Sequence, residues 1–217
     1  MAGGGRTRRR FLKTLVLVAS AGLAPPTPPA PTPTTDEARV LFVPAADYHE
    51  LPPECYAQNL IRPLEIILHW DGNRHGRELW VAPVTFETLQ LLQQSSHFAV
   101  DYKRVWQMLP MYATVVQESH GAQGYNWEAI NVELAGAEFD LPGNFPPDSE
   151  IALAVALVSH LMDFYHIAFE HVVGHFERDP RGDKRDPGQR FMAALRDRLA
   201  IYRGRLAPLK QQLYATP

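Results

Sequence analysis

The stretch from Glu170 to Phe191, EHVVGHFERDPRGDKRDPGQRF, constrains this chain more than any other. It gathers a histidine, a lysine and an aspartate into a short loop that ends in Asp-Pro-Gly, and two of them, His175 and Asp186, are natural zinc ligands. A catalytic zinc takes three protein ligands and leaves a fourth position for water. If these two share a metal, the fold must bring a third ligand from elsewhere. His69 is the candidate, because EIILHWD sets it at the end of a strand-like run. The demand is topological: a strand end has to meet a loop more than a hundred residues further on.

The rest of the pattern is compatible with that demand. Strands are expected around Glu65 to His69, His97 to Asp101, Val105 to Met108 and Ile130 to Leu134, each rich in β-branched or aromatic residues. Helices are expected from Phe86 to Gln94 with Thr85 as cap, from Ser149 to His166 after Pro147-Asp148, and from near Pro187 to about Leu206. This alternation gives an α/β fold, a central mixed β-sheet flanked by helices on both faces, in a single domain over residues 36–217. With 46% hydrophobic and 21% charged residues, that length suits a soluble core. The apolar run Ile151 to Leu157 is too short for a bilayer span of roughly 20 residues, and it reads as a buried helix. The single cysteine, Cys55, excludes an internal disulfide and is expected to be buried.

Residues 1–21 read as an export signal. Thr7-Arg8-Arg9-Arg10-Phe11-Leu12-Lys13 fits the twin-arginine pattern, an apolar stretch follows, and Ala19-Ser20-Ala21 offers a cleavage site. Residues 22–35 form a proline-rich linker. Cleavage after Ala21 removes Arg6, Arg8, Arg9, Arg10 and Lys13 and no acid, taking the formal charge from −3 to −8. An acidic mature surface argues against nucleic-acid binding, which depends on cations neutralising phosphates. The signal implies a periplasmic or cell-wall location with no stable membrane anchor.

Taken singly, each candidate also has a plainer reading. Asp186 before Pro187 looks like a helix N-cap, which is compatible with metal binding if the two carboxylate oxygens divide the tasks. His69 suits a hydrogen-bonded core position, Glu133 between Val132 and Leu134 suits a solvent-facing strand position, and Lys184 suits a solvated loop. His171 and His175 have the His-x-x-x-His spacing of a metalloprotease helix, but Val172 stands where that helix needs glutamate, so His171 is expected in a pocket wall or behind a ligand that it orients by hydrogen bonding. The segment Asp71 to Ala82 reads as a mobile rim loop in which Arg74, His75 or Arg77 meets carboxylates and Asp71 reaches an imidazole.

In order, EIILHWD, SSHFAVD, SHGAQGYNWEAINVELAG and VVGHFERDPRGDKRDPGQRF make the chain resemble the zinc-dependent N-acetylmuramoyl-L-alanine amidases of the type that shares its fold with peptidoglycan recognition proteins. The resemblance covers about two thirds of the chain. It implies that His69, His175 and Asp186 bind one Zn2+ per chain, that Glu133 is the general base and acid, and that Lys184 stabilises the oxyanion. The bond cut would join the lactyl group of N-acetylmuramic acid to the L-alanine of the stem peptide, with peptidoglycan or a muropeptide as substrate. His97, His120 and Asn126 match residues near the family's cleft, Asn126 as a substrate contact or a loop brace and His97 equally as a buried strand residue. Trp70 departs from the histidine that often follows the first ligand, and it becomes a stacking wall or part of the core. A module of the same fold that binds muropeptides without cutting them is the alternative.

Overall fold

A computed structural model describes residues 46–122 and 124–214, with 207–214 described by backbone alone. Six strands form the main sheet: β1 (Ala46–Tyr48), β3 (Glu65–Trp70), β4 (Phe98–Val100), β5 (Val105–Gln107), β7 (Ala129–Leu134) and β8 (Val172–Gly174). Their order is β1-β5-β4-β7-β3-β8, with β4 and β5 antiparallel and every other pair parallel. A small antiparallel pair, β2 (Leu60–Ile61) with β6 (Val116–Gln117), stands apart. Three helices complete the fold: α1 (Ala82–Leu92), α2 (Asp148–Tyr165) and α3 (Gln189–Tyr214).

Side chains alternate across each strand, and the two sheet faces receive different partners. On one face Ile66 and Leu68 of β3 and Ile130, Val132 and Leu134 of β7 share a core with Ile151, Leu157 and Leu161 of α2 and Phe191 and Leu195 of α3. On the other, Ala99 packs with Ala82 and Leu89 of α1 and with Leu51 and Met108, while Ile67, Ala129 and Val173 enclose Ala122. The mixed sheet with helices on both faces is as expected. The alternation also decides which residues are free for chemistry: His69, Asn131 and Glu133 share the α1 face.

Two helix starts differ from the sequence expectation. Helix α1 begins at Ala82 with Pro83 in its first turn, so Thr85 lies inside the helix and is not its cap. The first amide, Ala82 N–H, donates to Asp101 Oδ2 at 2.9 Å, and the Thr85 hydroxyl donates to Asp71 at 2.6 Å. Helix α3 begins at Gln189 and is not capped by Asp186. Asp140 does this from the loop after β7, accepting from the amides of Gln189 and Arg190 at 3.0 and 2.8 Å. Gly188, at φ 100°, makes the approach possible, since a methyl group there would lie 2.9 Å from Asp140 Oδ1.

The expected signal and linker lie outside the described residues. Among those described, no helix is long and apolar enough to cross a membrane. Cys55 is buried, as expected.

Candidate metal centre and active site

Three parallel strands lie side by side in the order β7, β3, β8, and their register aligns the candidate residues. Glu133 is opposite His69, and Leu68 is opposite Gly174, so His175 follows at the level of His69. These side chains come together at the carboxyl ends of parallel strands, where open α/β sheets leave a crevice. Asp186 arrives on the following loop, which the Phe176 N–H ties down by donating to the Asp186 carbonyl at 3.0 Å. Asp179 shapes that loop by accepting the amides of Arg181, Asp183 and Lys184. Arg196 of α3 holds the β8 end, donating to Val172 O at 3.0 Å and to both oxygens of Glu177, which itself accepts Gly174 N–H.

The three candidate ligands converge on one point and are buried. His69 Nδ1 lies 3.0 Å from His175 Nδ1 and 3.1 Å from Asp186 Oδ2, and His175 Nδ1 lies 2.9 Å from the same oxygen. Protons do not satisfy this triangle. Asn131 donates its amide to Ser119 Oγ at 2.6 Å, which turns Oδ1 to His69 Nε2 at 2.8 Å. Nε2 therefore carries the ring proton, and Nδ1 presents a bare lone pair to a carboxylate. Burial, aided by the neighbouring His175, lowers the His69 pKa and keeps the ring neutral against the pull of Asp186 and Asn131. A single proton on His175 leaves at least two acceptors facing each other. A cation resolves the conflict, and zinc fits the donor set: its tetrahedral ligand atoms are roughly 3.3 Å apart for bonds of about 2 Å. The Asn131 hydrogen bond is the kind of outer contact that fixes a ligating imidazole.

Glu133 stands beside this group, 6% exposed, with its Oε2 lacking a hydrogen-bond partner among the described residues. Burial, then the charges of Asp186 and Asp71, raise its pKa well above the ordinary carboxyl range, while Lys184 pulls it back. Desolvation works against the charge on Asp186, yet the carboxyl is held well below its usual value, the largest opposing cause being its hydrogen bond with His175. A cavity of about 200 Å³ exposes His69, Glu133, His175, Asp186 and Lys184 together, and Thr88, Leu92 and Gln94 from the end of α1 form its far wall. A wider groove of about 500 Å³ adjoins it, sharing Trp70, Lys184 and Asp186 and extending past Arg74, Leu141 and Arg185.

The remaining candidates divide. Trp70 lines both spaces, edge-on to Phe139 with ring centres 5.7 Å apart. Asn126 braces its loop, accepting the Ala122 N–H at 2.6 Å. His120 is exposed and does not line the metal cavity, although its neighbour Gly121 does. Of the two readings of His97, substrate contact and buried strand residue, the structure favours the second. It is wholly enclosed, its Nδ1 accepts Asn131 N–H at 3.0 Å and its Nε2 lies 2.8 Å from Gln117 O, so the ring has no polar atom left for a ligand. Burial lowers its pKa to about 4 and keeps it neutral behind the candidate metal ligands. Asp71 reaches no imidazole; it accepts from Thr85, Asn73 N–H and Gly136 N–H. Nor is the rim loop unsupported, since Arg77 donates to Gly143 O and Phe145 O, and Arg74 pairs with Glu138 at 3.0 Å. His171 lines a different cavity.

The family model of the N-acetylmuramoyl-L-alanine amidases matches residues 60–189, the span that holds His69, Glu133, His175, Lys184 and Asp186. The chain belongs to this amidase family. It is an N-acetylmuramoyl-L-alanine amidase, an enzyme class that acts on peptidoglycan. Solved structures share the amidase fold. A selenomethionine derivative of AmpD is 18% identical with a TM-score of 0.53, covering 73% of this chain and 96% of that one. A mutant endolysin from Bacillus subtilis is 21% identical with a TM-score of 0.51, covering 71% and 99%. The amidase LysC from Clostridium intestinale is 18% identical with a TM-score of 0.51, covering 71% and 97%. At these identities the likeness concerns the fold alone. No curated protein matches the chain.

Proposed function

We propose that this amidase is exported and zinc-dependent, and that it hydrolyses the amide between N-acetylmuramic acid and the L-alanine of the stem peptide in cell-wall remodelling or recycling. The zinc assignment rests on one observation: three buried ligand atoms lie 2.9–3.1 Å apart, and the Asn131 contact leaves one of them bare. Zinc held by His69, His175 and Asp186 supplies a Lewis acid for the scissile carbonyl and lowers the pKa of water.

The chain's own residues do the rest. Glu133 takes the proton of the attacking water at its unpartnered Oε2 and returns it to the leaving amine. Its raised proton affinity suits a carboxyl that must hold a proton between two steps. Lys184, exposed at the mouth of the same cavity, sets a cation near the developing oxyanion. Asn131 holds the His69 ring in its ligating tautomer, and Trp70 walls the groove. Possession of the complete set supports cutting over muropeptide binding alone.

Residues 1–21 serve as the signal, 22–35 as a spacer and 36–217 as the enzyme. Replacing Arg8 and Arg9 with lysine is expected to block export; normal export would point to another route. The activity is tested by digesting purified peptidoglycan with the protein starting at Asp36, with and without a chelator, and reading released peptides by mass spectrometry. The expected result is stem peptides with a free L-alanine amine, lost on chelation and restored by zinc. Release that persists without metal would overturn the zinc assignment.

A further inference from the structure

The metal cavity, about 200 Å³, is smaller than the roughly 300–1,000 Å³ that small ligands fill. A glycopeptide whose amide sits there must run on into the adjoining groove of about 500 Å³. Trp70, Lys184 and Asp186 line both spaces, whereas Arg185 lines the groove alone. Of three successive residues in the loop, two serve the reacting centre and the one between them serves only the groove.

A raw count of the groove's lining, four carboxylates against three cations, speaks against an anionic ligand. The partners of those groups reverse it. Glu138 pairs with Arg74 at 3.0 Å, Asp140 gives both oxygens to the amides of Gln189 and Arg190, Asp183 faces Arg181 at 3.6 Å, and Asp186 belongs to the candidate metal ligands. Lys184 and Arg185 have no acidic partner among the described residues. Lys184 acts on the reacting centre, where its charge pulls on Glu133. Arg185 is left, an exposed guanidinium with five N–H donors and no ion pair. The rim-loop cations expected to meet carboxylates are otherwise placed: Arg77 holds the carbonyls of Gly143 and Phe145, Arg74 holds Glu138, and His75 does not line the groove. The scissile bond then decides which half of the substrate brings the anion. In the proposed reaction the carboxyl of N-acetylmuramic acid is consumed in the amide, so the sugar side is neutral. A carboxylate can come only from the stem peptide, beyond its alanine.

We propose that Arg185 is a specificity residue: it pairs with a carboxylate of the stem peptide, so the groove takes the leaving peptide and favours acidic stems over amidated ones. This rests on the proposed amide cleavage, and binding is therefore read apart from it. Two positions share the chemistry, an acidic residue directly after the alanine or the C-terminus of a longer peptide. The zinc-loaded Glu133→Gln protein is titrated in a calorimeter with N-acetylmuramoyl-L-alanyl-D-glutamic acid and with the same compound carrying carboxamides at both carboxyls. The acid should bind about tenfold tighter, as a charge-assisted pair allows. Adding Arg185→Gln should remove that preference without changing the affinity for the diamide, and Arg185→Lys should keep part of it, since lysine retains the charge but not the planar fork. With Glu133 intact, the same preference should appear in KM and not in kcat. Equal binding of acid and diamide, or a preference that survives Arg185→Gln, would overturn the proposal. Cleavage of neither compound, with the binding preference present, would support the Arg185 site and overturn the cleavage reading instead. A glycotripeptide whose only carboxylate is its C-terminus locates the anion: a tenfold loss with Arg185→Gln supports the terminus, and no loss supports the acidic residue after the alanine.

Discussion

Asn131 settles which nitrogen of His69 is bare, and through that choice it makes the site a cation trap instead of a hydrogen-bonded cluster. Beside it Glu133 has the opposite problem, an acceptor with nothing to accept. Glu133→Gln keeps the shape of this side chain while removing its basicity. We expect zinc content by elemental analysis to be unchanged and stem-peptide release to fall by about 10²–10⁴-fold, the usual contribution of a positioned general base. Retained activity would remove Glu133 from the mechanism. That His69, His175 and Asp186 would meet was legible, because residue type and order both pointed to them. Asn131 was also within reach, being two positions before Glu133 on one strand and therefore on the same face. His97 was half legible: the buried strand reading was open beside the cleft reading, and what decides between them is backbone groups of β7 and Gln117 that no local pattern around His97 records.

At the level of elements, length helped decide what could be read, although β4 and β5, three residues each, were also expected within a residue or so from their β-branched and aromatic content. β3 and β7, six residues each, and α2, eighteen, carry enough period to be seen and were expected within a residue or so. β1, β2, β6 and β8 span two or three residues, too few for any period, and their pairing is set by tertiary contact. Helix starts failed for a related reason: Asp101 and Asp140 satisfy the first amides of α1 and α3 from across the fold, where a local cap search does not look. Asp140→Ala tests this account. Removing the carboxylate should destabilise the protein by about 1 kcal/mol in urea unfolding, with Asp140→Asn recovering part of the loss. No change in either variant would show that solvent serves those amides equally well.

At the level of the whole molecule, stability should carry a pH signature from Glu150 in α2. This residue is 1% exposed, and its Oε1 is unpartnered among the described residues. Burial, with Asp101 and Asp71 nearby, raises its pKa from 4.5 to about 9. The folded chain therefore keeps a proton that the unfolded chain releases above pH 4.5. The contribution is present in full below that pH and is lost as pH rises toward 9. A tenfold change in proton affinity corresponds to about 1.4 kcal/mol, so Glu150→Gln should stabilise the protein by up to about 5 kcal/mol at pH 8 and by almost nothing at pH 4. Urea unfolding of both proteins at the two pH values measures the difference, and an equal effect at each would assign it to packing.

His69 and Asp186 are 117 positions apart in the chain. No early fragment of the polypeptide contains both, so during synthesis the candidate ligand set is incomplete until every strand of the main sheet has been made. On the proposed zinc assignment, metal uptake would follow the making of the sheet and report its completion instead of starting it.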